Sequence, residues 1–148
     1  MAESTFAWNR LRHWGLALAV VTTLLPSCRS QKSRHLSATI ADLQTVHQTV
    51  TANDREIRGV ARVAEGHTVV TQAEGLARAR LDDGTALLLD RNTRLRLGAK
   101  QSHLLLGRAF ASGARGARHE LVLAGVTVFL GEGRAGLEAG PKVAKIYA

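Results

Sequence analysis

With 148 residues, 45% of them hydrophobic and 22% charged, the chain has room for one domain with a real core, and wholesale disorder and a polytopic membrane protein are excluded. Aromatics are only 4% and glycines number 14, so the core has to be built from Leu, Val and Ala between frequent tight turns, which favours short strands. The net charge of +8 suits anionic surroundings, and the single cysteine rules out an intramolecular disulfide or a Cys-based zinc site.

The chain opens with a polar stretch carrying Arg10, Arg12 and His13, runs apolar from Trp14 to Leu25, and reaches Pro26, Ser27 and Cys28. This is the order of a secretory signal. A bilayer-spanning helix needs about 20 apolar residues, and this run is shorter, so a cleaved segment is expected over residues 1–27. Leu25-Pro26-Ser27-Cys28 resembles the bacterial lipobox, which implies that Cys28 is lipidated and becomes the new N-terminus; the alternative is ordinary secretion with Cys28 a bystander. Acyl chains contribute about 0.8 kcal/mol per buried methylene, so several of them would hold the domain on a membrane. Residues 28–37 read as a polar tether, in which Arg29, Lys32 and Arg34 follow the lipid.

Residues 38–56 form a lead-in that reads two ways. Leu36, Ile40, Leu43 and Val50 are spaced like a helical stripe, whereas Thr39, Thr45, Val46, Thr49 and Thr51 are β-branched and favour strands. Asn53-Asp54 marks a turn. Residues 57–148 read as an all-β domain, sandwich-like or solenoid-like, with a strand every 8 to 12 residues or so. The strands expected are His67 to Thr71, Leu76 to Asp82, Thr85 to Asp90, Thr93 to Leu97, His103 to Leu106, Arg108 to Ser112, Glu120 to Ala124, Val126 to Leu130, Ala135 to Glu138 and Val143 to Tyr147. Alternation puts Ala77, Ala79 and Leu81 on a dry face and Arg78, Arg80 and Asp82 on a wet one. Asp83-Gly84 predicts a type I′ hairpin turn with positive φ at both residues. Thr93, Leu95 and Leu97 are expected inside, against Arg94 and Arg96 outside. Val143 to Tyr147 reads as a strand without a turn or partner, hence an incomplete C-terminus or an open edge prone to self-association or peptide capture.

The segment from about Ile57 to Tyr147 resembles the FecR domain, a bacterial envelope module. Gly66-His67-Thr68-Val69-Val70-Thr71 is similar to the family's strand ending in threonine, and Ala77 to Thr85 is similar to its hairpin with Asp-Gly at the turn. Asn92-Thr93-Arg94-Leu95 and Leu105-Leu106-Gly107-Arg108-Ala109-Phe110 continue the match in order. The resemblance implies a β-rich extracytoplasmic domain, in founding members the periplasmic half of a sensor that relays iron-siderophore signals to a sigma factor. Such sensors carry a cytoplasmic anti-sigma segment, for which the stretch before the apolar run leaves no room. The expected function is therefore a non-enzymatic envelope module acting in binding or scaffolding, a lipoprotein of the periplasm on either membrane. The alternative is a signalling regulator that senses a partner receptor.

No enzyme chemistry is legible. Gly131-Glu132-Gly133-Arg134-Ala135-Gly136 fits the dinucleotide-binding spacing, but Pro141 interrupts the helix that a pyrophosphate would need. The six histidines show no metal-ligand spacing and are expected in solvent. Asp82-Asp83 would face opposite ways on a strand, and no serine lies in a nucleophile elbow. Neither a cofactor nor a metal is expected. Arg78, Arg80, Arg94 and Arg96 are expected to line up on one polar face of adjacent strands, as a stripe for an anionic glycan or an envelope protein. A solvated face partly paired with Asp82 and Asp90 is the simpler reading. Nucleic acid is not expected, because the stripe lacks Tyr and Trp.

Overall fold

Strand propensity wins in the lead-in. In the computed structural model, which describes residues 38–148, β1 spans Thr39–His47. It alternates Ala41 and Leu43 inward with Asp42 and Gln44 outward, as a half-buried strand should. The signal-like segment, Cys28 and the tether lie outside the described residues. A short link at Gln48, with φ 49°, leads to β2 (Val50–Ala52). Asn53 and Asp54, at φ 47° and 62°, form the two-residue type I′ turn into β3 (Arg55–Ile57).

β4 (Val60–Ala64), β5 (Thr68–Thr71), β6 (Leu76–Leu81), β7 (Ala86–Leu89) and β8 (Arg94–Arg96) follow at the expected places. Then come a long β9 (Gln101–Gly113), β10 (His119–Leu123), β11 (Val126–Leu130), β12 (Gly133–Ala139) and β13 (Ala144–Tyr147). The fold is all-β, with no helix among the described residues.

Hydrogen bonding arranges the strands in two sheets that share β9. The first runs β4-β1-β6-β7-β9-β12-β13, the second β3-β2-β5-β8-β9-β10-β11. All neighbours are antiparallel except β9 and β10, which are parallel. Both sheets close over one core. Leu43, Leu87, Leu89 and Leu137 come from the first, and Val50, Val69, Leu95, Leu104, Leu121 and Leu123 from the second. Alanines at 41, 77, 79, 109 and 111 let the leucines interdigitate at close range. Because β9 belongs to both, the thirteen strands form one continuous sheet that wraps, nearly closed and barrel-like, around the core.

The crossing of β9 rests on a change of phase. Ser102 and Leu104 are buried, Leu105 and Leu106 are both exposed, and Ala109 and Ala111 are buried again. The extra residue is a bulge opposite Arg94 and Leu95, followed by Gly107 at φ 90°, so the buried side of the strand stays toward the core as the chain leaves one sheet for the other. The two strands expected at His103 to Leu106 and Arg108 to Ser112 are therefore one, because Gly107 bends the strand without ending it.

Two further expectations are corrected. At Asp83-Gly84 the N–H of Leu81 bonds the Thr85 carbonyl at 2.8 Å and Gly84 N–H bonds the Leu81 carbonyl at 3.0 Å, while only Gly84 has positive φ. This is a three-residue loop closed by a left-handed glycine, not a type I′ turn. At the C-terminal end, β13 has a partner: Gly136, Leu137, Glu138 and Ala139 of β12 face Tyr147, Ile146, Lys145 and Ala144. Among the described residues no strand pairs with its other side.

Candidate functional site

The outer face of the first sheet carries apolar side chains where alternation alone would put polar ones. Register aligns Gln44, Arg78, Leu88, Phe110, Gly136 and Tyr147 in one row across β1, β6, β7, β9, β12 and β13. Leu88, Phe110 and Tyr147 remain 41%, 55% and 54% exposed. Together with Ala86 and Ser112 they line a groove of about 580 Å³, with Arg78 and Arg134 at its border. Gly136 forms part of the floor: a Cβ there would sit 3.4 Å from the Phe110 ring and 3.5 Å from Tyr147. An open apolar surface bordered by a few polar groups is the usual make-up of a ligand site.

The charges around this groove divide into paired and unpaired. Arg62 is bonded by both its terminal nitrogens to Asp82 at 2.8 Å and also reaches Asp42 at 3.3 Å. These hydrogen bonds hold the Asp82 carboxyl below its ordinary range and raise the Arg62 guanidinium further; both groups are exposed, so little stability follows. Arg108 meets Asp90 at 3.4 Å and Lys145 meets Glu138 at 3.7 Å. Among the described residues Arg78, Arg80 and Arg134 have no carboxylate partner. The pairing anticipated for Asp82 and Asp90 does occur, but with Arg62 and Arg108.

The four-arginine stripe is not assembled. Arg78 and Arg80 project from β6 in the first sheet, whereas Arg94 and Arg96 project from β8 in the second. β6 is flanked by β1 and β7, and β8 by β5 and β9, so the two pairs lie on the outer faces of different sheets. Alternation placed all four outside correctly but carried no information on sheet membership. Arg94 instead borders a shallow depression with Val70, Asn92 and Leu106. Cys28 lies outside the described residues.

One polar cluster is buried. His119 Nε2 and Ser102 Oγ are 2.9 Å apart, Ser102 Oγ accepts the Gly98 N–H at 3.2 Å, and His119 Nδ1 lies 3.4 Å from Asp83 Oδ2. That last contact makes no formed hydrogen bond. Burial pushes the His119 imidazole below its ordinary value, and the carboxylates of Asp83 and Glu120 pull it part of the way back. The order of residues is that of a serine–histidine–aspartate triad, but both Ser102 and His119 are 0% exposed, so no acyl group reaches the hydroxyl and the cluster is an internal brace. His119 thereby departs from the expectation that histidines face solvent; its neighbours Leu121 and Leu123, alternating with it on one face, were the signal. Gly131 to Gly136 falls on a turn and on β12, not at a helix start. Among the described residues no three His, Cys, Asp or Glu side chains converge as a metal centre requires.

The groove itself was missed at the sequence level. Its signals are Leu88 between two leucines and Phe110 between two alanines: in a strand whose neighbours point inward, the middle residue must point out. No protein-family model, curated protein or solved structure matches this chain.

Proposed function

We propose that the protein is a non-enzymatic binding module of the bacterial envelope, held on a membrane through lipidated Cys28, and that it engages its target with the outer face of the first sheet. The observation that carries this reading is the apolar groove bordered by Arg78 and Arg134. Its exposed Leu88, Phe110 and Tyr147 cost solubility unless something covers them. The FecR-domain resemblance and the lipobox-like Leu25-Pro26-Ser27-Cys28 support the envelope and the tether, and the basic charge suits an anionic neighbour.

The test has two arms. In bacteria fed a palmitate analogue, the wild type is labelled and pellets with membranes while Cys28→Ser is neither; equal labelling of both removes the tether. With purified full chain, anilinonaphthalene sulfonate, an apolar body with one negative charge, brightens in proportion to groove binding. Phe110→Glu lowers that signal by about fivefold or more with an unchanged melting temperature. A signal indifferent to Phe110→Glu removes this face as the binding surface.

A further inference from the structure

Resting on the reading of this face as the binding surface, we infer that its occupant is a single long acyl chain ending in a carboxylate, the hydrocarbon lying across Leu88, Phe110 and Gly136 toward Tyr147 and the anion held by Arg78 at the β6 end. The backbone under the groove is already committed. Leu88 lies in β7, paired with β6 and β9; Phe110 lies in β9, paired here with β7 and β12; Gly136 lies in β12, paired with β9 and β13. No free N–H or C=O row lies under Leu88, Phe110 or Gly136, so an extended peptide has no ladder to join across the groove; the open row is the outer side of β13, at its border. Ser112 and the Tyr147 phenol are the two neutral side-chain hydroxyls of the groove lining, few polar partners for a glycan, most of whose hydroxyls would be buried unpaired.

Length and charge narrow the class further. From Arg78 on β6 to Tyr147 on β13 the row crosses four inter-strand gaps, which at about 4.8 Å each gives an apolar track of about 19 Å, longer than a compact aromatic anion needs. A second copy of the same face is disfavoured, because Arg78, Arg80 and Arg134, all without carboxylate partners, would meet their own kind. A hydrocarbon chain needs only the apolar surface that is present, and its carboxylate matches a guanidinium fork. The groove volume of about 580 Å³ lies in the range of small-ligand sites.

Calorimetric titration of the full chain with octanoate, decanoate and dodecanoate tests this. Affinity rises along the series by about fourfold or less per methylene, the limit set by complete burial of each CH₂. Dodecyltrimethylammonium binds about tenfold more weakly than dodecanoate, and Arg78→Ala abolishes that preference while retaining binding of dodecanol. Leu88→Asp, at an exposed position, weakens dodecanoate by about tenfold with no change in melting temperature. Equal affinity for octanoate and dodecanoate, or for the cationic and anionic chains, overturns the inference. So does binding to phosphatidylglycerol vesicles with none to dodecanoate, or a groove occupied by a second copy, seen as concentration-dependent dimers abolished by Leu88→Asp. If anilinonaphthalene sulfonate still binds in a Phe110-dependent way while dodecanoate fails to displace it, the acyl assignment falls and the binding face stands.

Discussion

His119 is buried as a neutral ring beside two carboxylates, and that combination sets how the domain responds to acid. Asp83 faces it from the β6-β7 turn, Glu120 is its chain neighbour, and Ser102 of β9 holds its other nitrogen. Desolvation dominates, so the folded-state pKa lies below the unfolded value of 6.5. The unfolded chain therefore binds the proton first, and stability is complete above about pH 6.5 and declines as pH falls from there toward the depressed folded value. Melting temperature is expected to fall between about pH 7.5 and pH 5.5 in the wild type and to change less in His119→Gln, which keeps a hydrogen-bonding tip and cannot charge. An identical pH profile for the two proteins would show that His119 does not titrate on unfolding. Asp82, held below the ordinary carboxylate value by its hydrogen bonds from Arg62, acts in the same direction only in stronger acid. The residue scale also shows a limit of sequence reading: alternation in His119-Glu120-Leu121-Val122-Leu123 already grouped His119 with two core leucines, but side-chain polarity argued for solvent, and only the Ser102 partner 17 residues earlier reconciles the two.

At the scale of elements, β9 is what joins the two sheets into one wrap, and Gly107 is its hinge point. Its φ of 90° is open to glycine and strained for other residues. A Cβ there would also meet the Thr93 hydroxyl at 2.5 Å and the Asn92 carbonyl at 2.6 Å. The surroundings cannot give way cheaply. Thr93 Oγ1 accepts the Arg108 N–H at 3.0 Å, and Thr93 N–H is bonded at 2.9 Å to Thr71 Oγ1, which donates in turn to the Asp90 carbonyl at 2.5 Å. Gly107→Ala is expected to destabilise the domain by about 2 kcal/mol or more, read as a lower denaturant midpoint with near-normal slope. A loss below about 0.5 kcal/mol would mean that the bulge relaxes freely. Most strands were legible because the period of two survives in Leu76 to Leu81, Thr93 to Leu97 and His119 to Leu123. Partner order was not, since a glycine in mid-strand reads like a turn, and the same ambiguity merged Arg78 and Arg80 with Arg94 and Arg96 into one imagined stripe. What the sequence carried of the groove was equally local: Leu88 and Phe110 are marked as outward by their neighbours, but their adjacency to Gly136 and Tyr147 depends on pairings between β7, β9, β12 and β13.

For the whole molecule, a sheet that does not fully close has edges, and among the described residues they are β4 and β13 in the first sheet and β3 and β11 in the second. Unpaired edge groups template association with another chain unless charge, brevity or twist blocks them. β3 is three residues long and begins with Arg55 and Glu56, and β4 carries Arg62, anchored by Asp82 and Asp42, so both are protected. β13 is the weaker guard. Lys145 is drawn to Glu138 of its own sheet, and Ile146 and Tyr147 are half-exposed beside the groove. β11 carries no charge and leaves Phe129 76% exposed, so it is a second unguarded edge. The full chain is accordingly expected to associate at high concentration through β13, seen in light scattering as a mass that grows with concentration. Ile146→Lys, which puts a charge on the edge without removing a ladder donor, should shift that growth to about tenfold higher concentration. Arg78→Ala with Arg134→Ala should leave it unaltered, which separates edge pairing from the groove. A mass that stays monomeric over the whole range, or one equally concentration-dependent in Ile146→Lys, would rule out association through this edge and leave β13 as a closed border of the sheet.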